Sequence, residues 1–291
     1  MSNTLVYRDT PPTLLPLFAK AALPKKVSSG TDVRIPELSA TLLYAHTSRA
    51  DLEQYERVCG FQPSNQLPIT WPHILAFPLQ LKLLTEKTFP LPLLGLVHLR
   101  NTITQYRQIG TGEALKLDVH LSGQERTSRG IEFDMITTAS SAGSVVWEES
   151  STMLFRQSEP NGKPTEKTAP PALEQYPNTK EIKVGESIGR QYAKVSGDSN
   201  LIHMHALTAK AFGFPKAIAH GMWSKAHALA IMGQQDGWQS GPLKVSCQFK
   251  KPVFLPGTAQ LNWREGKTAW DYQLLNARGD APHLSGQIEW L

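Results

Sequence analysis

Two long apolar stretches dominate the pattern of hydrophobic and polar positions along the chain. One opens near Pro72 and reads PHILAFPLQLKLLTE, and the other reads HGMWSKAHALAIMGQQ. Each is long enough for a helix and has Pro or Gly at its flanks, which is typical of a buried helix. The pattern therefore predicts two buried helices, one in each half of the chain.

Shorter segments with strand character follow each predicted helix. ITQYRQIGTGEALKLDV corresponds to VSCQFKKPVFLPGTAQLNW, with Gln105 opposite Gln248. Each half then closes on strand-like runs around a glycine turn, FDMITTASSAGSVVWEE and WDYQLLNARGDAPHLSGQIEW. Each half reads as a short helix, a long buried helix and several antiparallel strands. This order predicts the α+β class.

An eight-residue motif occurs twice, as QYERVCGF at 54–61 and as QYAKVSGD at 191–198. Because the segments after each copy also correspond, an internal duplication explains the pattern best. We predict two repeats, 1–156 and 179–291. The Pro-rich and polar stretch 157–178 is the predicted linker between them. Two unrelated domains with coincidental similarity are the alternative.

Composition and charge narrow the class of protein. The chain has 291 residues, of which 40% are hydrophobic and 19% charged, so it is long and apolar enough for a globular core. No apolar run approaches the ~18 residues of a membrane span, and the N-terminus lacks the order of a signal peptide, so we expect a cytoplasmic protein. Cys59 and Cys247 show no metal-type spacing and are expected to be reduced core residues.

The net charge is +5, but the basic residues are scattered and no basic stripe interleaved with aromatic residues is present. Nucleic-acid binding is therefore disfavoured. A mild positive surplus would suit an anionic ligand that carries phosphates, although a solvated surface explains the same charge.

A carboxylate and an imidazole lie close together after the second octet, in SGDSNLIHMH. Such a pair can hold a water molecule and move its protons, because histidine titrates near neutrality. A helix that ends at Gly197 and loops back could bring Asp198 and His203 together. Alternatively, Asp198 or Ser199 caps a following turn and His203 is a packed core residue.

A glycine marks the start of the second predicted buried helix, in the sequence Ala219-His220-Gly221. A helix N-terminus presents unpaired N–H groups, and glycine allows a ligand to approach the backbone closely. A thioester oxygen that gains negative charge would be stabilised there. The alternative is that Gly221 only permits tight packing of the helix.

The segments YAKVSGDSNLIH and FGFPKAIAHGM resemble the signature of the MaoC-like dehydratases and type 2, R-specific enoyl-CoA hydratases, a hot-dog-fold family. The match is specific over 191–223, whereas the first half resembles the degenerate repeat of double hot-dog members in pattern only. The resemblance implies a double hot-dog fold. In that fold, two repeats each wrap a curved antiparallel sheet around a long central helix, and the repeats pair through a closed, shared sheet.

The resemblance also assigns the site residues. These are the catalytic Asp198 and His203, the supporting Ser196 and Asn200, and the thioester-binding Gly221 and His220. The family usually has proline after the signature asparagine, where this chain has Leu201, which restores an N–H and frees the local φ angle.

The implied reaction is the reversible syn addition of water across a trans-2-enoyl thioester, giving an (R)-3-hydroxyacyl thioester without metal or other cofactor. The partner is an acyl-CoA or acyl-carrier-protein thioester. Two fused repeats already form the dimer-like unit of single-repeat relatives, so a further homodimer of double hot-dog units and a monomer both stay open. In an ungapped alignment of the first repeat, Phe61 replaces Asp198, Pro63 lies opposite Asn200 and Gln66 opposite His203. We expect this half to house substrate, with simple packing as the alternative.

Three other functions stay open. A noncatalytic acyl-thioester-binding protein would keep affinity without turnover. A metal site would combine His205 and His227 with the proposed pair, since these residue types bind zinc. A hot-dog thioesterase would need a nucleophile on the central helix, where only Ser224 and His227 are available.

Overall fold

Eleven strands form one sheet in the parts of the chain that the computed structural model describes, which are residues 4–23, 25, 33–157 and 173–291. The strands are β1 (Thr4–Tyr7), β2 (Ser39–Ala45), β3 (Leu96–Gln105), β4 (Leu115–Thr127), β5 (Gly130–Ser141), β6 (Ser144–Arg156), β7 (Asn178–Val184), β8 (Leu243–Phe249), β9 (Gly257–Arg264), β10 (Ala269–Asn276) and β11 (Pro282–Trp290). The helices are α1 (Leu14–Ala21), α2 (Arg49–Cys59), α3 (Trp71–Leu84), α4 (Ile188–Ser196), α5 (Leu201–Met204), α6 (Ala206–Ala211) and α7 (Gly221–Met232), with a short 3₁₀ turn at Leu93–Gly95.

The order of the strands confirms the duplication. The sheet runs β1-β2-β4-β5-β6-β3-β8-β11-β10-β9-β7, so the second repeat presents its strands in the reverse order of the first. The two repeats join where β3 pairs antiparallel with β8, with Asn101 opposite Cys247. This is the predicted double hot-dog arrangement with a shared sheet. The sheet is not closed, because its order is linear, with β1 and β7 at the edges.

Each repeat also has a strand before the helix of the repeated octet that the sequence pattern did not predict. β2 precedes α2 and α3, β7 precedes all the helices of the second repeat, and β7 lies at an edge of the sheet. In β7 only Ile182 and Val184 are buried, because an edge strand buries one face and leaves polar residues on the other. Two apolar positions are too few for a clear alternating pattern.

The two long apolar stretches form the predicted buried helices, α3 and α7. α3 contacts β2, β4 and β5, and most residues of both helices are buried. A helix that is apolar around its whole circumference lies inside the protein. Pro72 is compatible with α3 because it lies in the first turn, where its missing N–H would have no partner within the helix.

The repeated octet forms the ends of two equivalent helices. Gly60 (φ 86°) directly follows the last residue of α2, and Gly197 (φ 78°) directly follows the last residue of α4. Both adopt the left-handed conformation that favours glycine. The two helices contact each other, and the ring centroids of Tyr55 and Tyr192 are 6.2 Å apart. The predicted break of the chain at Gly197 is confirmed.

Residues 158–172 of the predicted linker lie outside the described residues. We keep the boundaries of the repeats at 156 and 179 as a proposal. Cys59 and Cys247 are buried and unpaired with each other, as expected. Among the described residues, no helix has the length and apolar character needed to cross a membrane.

Candidate active site

The carboxylate of Asp198 is held by the backbone of its own loop, directly after the left-handed Gly197. The backbone N–H of Asp198 donates to Ser196 Oγ at 3.1 Å, and Oδ1 of Asp198 accepts the backbone N–H of Asn200 at 3.1 Å. The side chain is still 31% exposed. The loop therefore fixes the carboxylate in place while leaving it accessible to a small molecule.

Asn200 links the two predicted catalytic residues through its backbone. Its carbonyl accepts the His203 N–H at 3.0 Å, while its side-chain oxygen accepts the Ile202 N–H and caps α5. Leu201 is the first residue of α5, so its N–H is one that has no partner within a helix. A proline would fit there equally well, and the departure from the family pattern leaves the loop intact.

His203 is held as a neutral base. Its Nδ1 lies 2.8 Å from the carbonyl of Ile218, to which it donates in the neutral tautomer that leaves Nε2 unprotonated. The ring is buried, and burial lowers the pKa of His203, while the charge of Asp198 partly opposes this effect. Ile218 is fixed in turn, since its N–H donates to the Ile202 carbonyl and it forms a β-bridge with Phe254.

His220 lies in direct contact with this pair. Its ring stacks on that of His203, with centroids 3.6 Å apart, and its Nε2 is 3.0 Å from the carbonyl of Asp198 and 3.8 Å from the nearer carboxylate oxygen. The pKa of His220 lies well below its ordinary value, mainly because the ring is buried and also because His203 lies beside it. Its Nδ1 is buried without a hydrogen-bond partner. A neutral His220 that donates from Nε2 can therefore accept a further hydrogen bond at Nδ1.

Gly221 begins α7, so its N–H has no partner within the helix and lies at the positive end of the helix dipole. A Cβ added at this position would lie 2.9 Å from the ring of Phe249. On its other side, Phe249 contacts His98, with ring centroids 4.8 Å apart. Any larger residue at this position would require the Phe249 ring to move, so close packing and an N–H without a partner in the helix occur at the same residue.

Sequence reasoning missed Gly189, which lies in the first turn of α4. A Cβ added there would lie 2.0 Å from the carbonyl oxygen of His203. The glycine therefore allows the loop that carries His203 to pack directly onto α4. The signal was a glycine inside a helical pattern, which usually marks a close approach of two backbones.

The residues of the alternative functions are engaged elsewhere. His227 Nδ1 lies 2.8 Å from the carbonyl of Cys59, His205 is exposed, and Ser224 Oγ donates to the carbonyl of His220. The alternative metal site, which added His205 and His227 to Asp198 and His203, is therefore not assembled, because neither added histidine belongs to the cluster around Asp198. The potential ligand atoms that lie within 4.8 Å of one another are those of Asp198, His203 and His220, a donor set of a kind that zinc accepts.

The first repeat presents no such group at the equivalent position. Phe61 follows Gly60 and stacks on Tyr55, with ring centroids 6.2 Å apart. Gln66 forms a β-bridge with Gly110, in the way that Ile218 does in the second repeat. Gln66 is thus the counterpart of Ile218, and its ungapped pairing with His203 is wrong, because α5 and α6 are inserted in the second repeat only.

The fold and the site together define a double hot-dog protein with a cluster of Asp198, His203 and His220 beside the start of its second central helix. Residues 168–284 match the family described as MaoC like domain. The chain is 34% identical over 278 residues to 3-hydroxyacyl-thioester dehydratase X of Mycobacterium tuberculosis, and the match covers 94% of this chain and 95% of that protein. The chain belongs to the MaoC-like dehydratase family.

Solved structures agree with this assignment. The crystal structure of HtdX from M. tuberculosis superposes with a TM-score of 0.75 at 33% identity, over 87% of this chain and 100% of that chain. A MaoC-like dehydratase from Phytophthora capsici superposes with a TM-score of 0.71 at 18% identity, over 89% of this chain and 96% of that chain. The second likeness concerns the fold alone.

Proposed function

We propose that the protein catalyses the reversible hydration of trans-2-enoyl thioesters to (R)-3-hydroxyacyl thioesters. The observation that carries this proposal is that polar side-chain atoms of Asp198, His203 and His220 lie within 4.8 Å of one another, and that His220 immediately precedes Gly221 at the start of α7. The name of the M. tuberculosis relative, a 3-hydroxyacyl-thioester dehydratase, supports the same class of reaction.

In the hydration direction, a water molecule binds between the Asp198 carboxylate and His203 Nε2. Its oxygen forms the bond to C3 of the enoyl group while His203 takes one of its protons. The resulting imidazolium, stabilised by Asp198 and by the Ile218 carbonyl, returns this proton to C2. Because one base serves both atoms from one side, the addition is syn. Dehydration follows the same steps in reverse.

Negative charge develops on the thioester oxygen when water attacks C3, and the start of α7 is placed to stabilise it. The Gly221 N–H is the proposed donor, since a helix N-terminus favours negative charge. His220 lies beside this N–H and touches both catalytic side chains. We assign it a substrate-binding role through its unpartnered Nδ1, which in this tautomer can accept from a hydroxyl group of the product but cannot donate to the thioester oxygen, so that donor role is left to Gly221.

Ser196 and Asn200 act as positioning residues. Ser196 Oγ accepts the N–H of Asp198, and the Asn200 backbone contacts both catalytic residues. Their contribution to turnover thus passes through the placement of the carboxylate and the imidazole.

We further propose that the first repeat helps to house the acyl group, because Phe61 places an apolar ring where the second repeat has a carboxylate. The carrier is CoA or acyl carrier protein. A homodimer of double hot-dog units stays a prediction, which sedimentation of the full chain would check.

The test is an absorbance assay for loss of the conjugated thioester, run on a panel of trans-2-enoyl-CoAs of increasing chain length. We expect turnover on at least one substrate and very little in the Asp198→Asn variant. If the wild-type protein does not exceed this variant on any substrate in either direction, the proposed reaction is wrong.

A noncatalytic acyl-thioester-binding protein gives a different result in the same experiment. Wild type and Asp198→Asn would then bind enoyl-CoA with equal affinity, and neither would hydrate it. The unprotonated Nε2 of His203 argues against this alternative, because binding of a thioester alone does not need a base.

A further inference from the structure

Five exposed basic side chains border the proposed active site, and we call them the basic surface. They are Lys210 on α6, Lys216 in the loop before α7, Lys250 and Lys251 directly after β8, and Arg156 at the end of β6. None of them forms an ion pair with another residue that the structure describes, whereas Lys244 pairs with Glu289. Neither 201–220 nor 247–257 contains an acidic residue. The charge of this surface is therefore available to a partner.

On one side, the basic surface is built on the segments that hold the catalytic base. Lys216 lies two residues before Ile218, whose carbonyl contacts the ring of His203. Lys210 is on α6, which directly follows α5, the helix that carries His203. A partner bound to these two lysines would therefore lie beside the catalytic base.

On the other side, the basic surface adjoins the start of α7. Phe249 covers Gly221 and directly precedes Lys250. Phe249 and Lys250 line a cleft of about 550 Å³ together with Arg156 and two arginines that are both paired with the same glutamate. Because the other residues that line the cleft are uncharged, the cleft is positively charged as a whole.

Large apolar side chains are exposed beside the lysines. Leu207 on α6 is 75% exposed, Leu201 on α5 is 42% exposed, and Phe254 in the loop after β8 is 36% exposed. The hydroxyl of Thr208 donates to the carbonyl of Leu201 at 2.6 Å and holds α6 against α5. In protein–protein interfaces, apolar side chains supply much of the affinity while charged groups around them guide the encounter. The surface beside the active site combines both kinds of group.

We propose that the basic surface binds an acidic carrier protein, which presents the enoyl group as a thioester on a flexible arm. This inference rests on the proposed function and chooses between the two carriers that it leaves open. The carrier protein is favoured over CoA because the cations lie on four separate segments and alternate with exposed apolar side chains such as Leu207. CoA carries its phosphates in one compact nucleotide, which would occupy only part of this surface. A bound protein would contact the lysines and the apolar side chains together.

The first test compares crotonyl-CoA with the crotonyl thioester of an acidic bacterial acyl carrier protein. At low ionic strength we expect kcat/KM to be at least ~10-fold higher for the carrier-protein thioester, because opposite charges speed association. Raising the salt concentration from about 0.05 M to about 0.5 M should remove most of this preference by screening. An equal or lower kcat/KM for the carrier-protein thioester at low salt would overturn the proposal.

Charge-reversal variants locate the contact. Lys210→Glu and Lys216→Glu should each lower the ratio of kcat/KM for the carrier-protein thioester to that for crotonyl-pantetheine, an uncharged substrate, by about 5–10-fold. Lys267→Glu is the matched control, because it makes the same change of charge in the turn after β9, at the far end of that strand from Lys251. The control should keep the wild-type ratio. Leu207→Ser should lower the ratio at high salt as well as at low salt.

Two results with these variants would contradict the proposal. If Lys210→Glu and Lys216→Glu both keep the wild-type ratio, the basic surface does not contact the carrier protein. If they weaken the use of crotonyl-CoA as strongly as that of the carrier-protein thioester, the surface binds the phosphates of CoA instead.

Binding of the carrier protein without an acyl group separates this inference from the proposed reaction. Isothermal titration calorimetry with the full chain and the carrier protein bearing its free thiol arm needs no turnover. We expect binding that weakens with salt, and that weakens by about 10-fold in Lys216→Glu. If such binding occurs but no enoyl thioester is hydrated, the reaction is wrong and the binding surface is confirmed. If enoyl-CoA is hydrated but the carrier protein does not bind at low salt, the reaction stands and this inference is wrong.

Discussion

The ends of α2 and α4 have nearly the same sequence and the same backbone, yet only one of them is followed by the carboxylate of the proposed active site. Both helices end at a left-handed glycine. The next residue is Phe61 in the first repeat, where it stacks on Tyr55, and Asp198 in the second, where it accepts an N–H from its own loop. The fold thus accommodates either residue, and the chemistry is decided by the side chain.

The first turns of the two helices differ for a related reason. Aligned through the octet, Gly189 of α4 corresponds to Leu52 of α2, which is 1% exposed. The second repeat needs a glycine because the loop carrying His203 packs against that turn. The first repeat lacks α5 and α6, so a leucine fills the space that the loop would occupy.

The starts of the central helices show the third difference. α7 begins with His220 as its N-cap and Gly221 as its first residue, whereas α3 begins with Thr70 and Trp71. The hydroxyl of Thr70 accepts a hydrogen bond from Tyr55 at 2.7 Å. Because Trp71 replaces the glycine and Pro72 has no N–H, the start of α3 is not suited to stabilising an oxyanion.

Replacing the Asp198 carboxylate should cause the largest loss of activity and so give the sharpest contrast between the two repeats. Asp198→Asn should lower kcat by about 10²–10⁴-fold, because the water loses an acceptor and the imidazolium its charged partner. The matched change in the first repeat, Phe61→Leu, should leave the rate on a short enoyl-CoA near that of wild type. Steady-state assays with a check of folding by circular dichroism measure both. Equal losses in the two variants would contradict the assignment of the site to the second repeat.

The glycine at the start of α7 should give the next largest effect. Gly221→Ala places a Cβ 2.9 Å from the ring of Phe249 and displaces the N–H, so we expect a loss of up to about 10²–10³-fold in kcat. Adding Phe249→Leu makes room for the methyl group and should restore part of the rate. If the single variant has wild-type turnover, Gly221 is not the donor to the thioester.

A change at Gly189 tests how the loop that carries His203 packs onto α4. Gly189→Ala should lower the free energy of unfolding by about 1–3 kcal/mol through overpacking and lower kcat by displacing His203. Leu52→Ala should lower stability by about 2–5 kcal/mol through a cavity, with kcat of the folded enzyme retained. Denaturant unfolding and initial rates separate the two effects. Full activity in Gly189→Ala would show that the close approach has no catalytic role.

The smallest expected effect is a shift in the pH dependence of kcat/KM, and it reports specifically on the protonation of His203. Burial lowers the pKa of His203, so Nε2 stays unprotonated to a lower pH than in an exposed histidine, and the acid limb of kcat/KM should lie below about 6.5. Asp198 raises this pKa, so the limb of the residual activity in Asp198→Asn should move to still lower pH. A shift to higher pH in the variant would contradict the role of His203 as the base.

The sequence by itself determined the α+β class, the duplication, the two buried helices and the proximity of Asp198 and His203. All of these depend on contiguous segments: a helix that is apolar on every side must be buried, and a motif within one loop keeps its residues close together. The edge strand β7 escaped prediction because it buries only Ile182 and Val184.

Only the tertiary structure decided which distant residues meet. His220 stacks on His203, the ring of Phe249 covers Gly221, and Gly189 contacts the loop that carries His203, yet each partner comes from a different segment of the chain. It also corrected the counterpart of Gln66, because an inserted pair of helices changes the alignment without changing the fold. Such contacts follow from how elements pack against each other, which residue spacing along one segment does not encode.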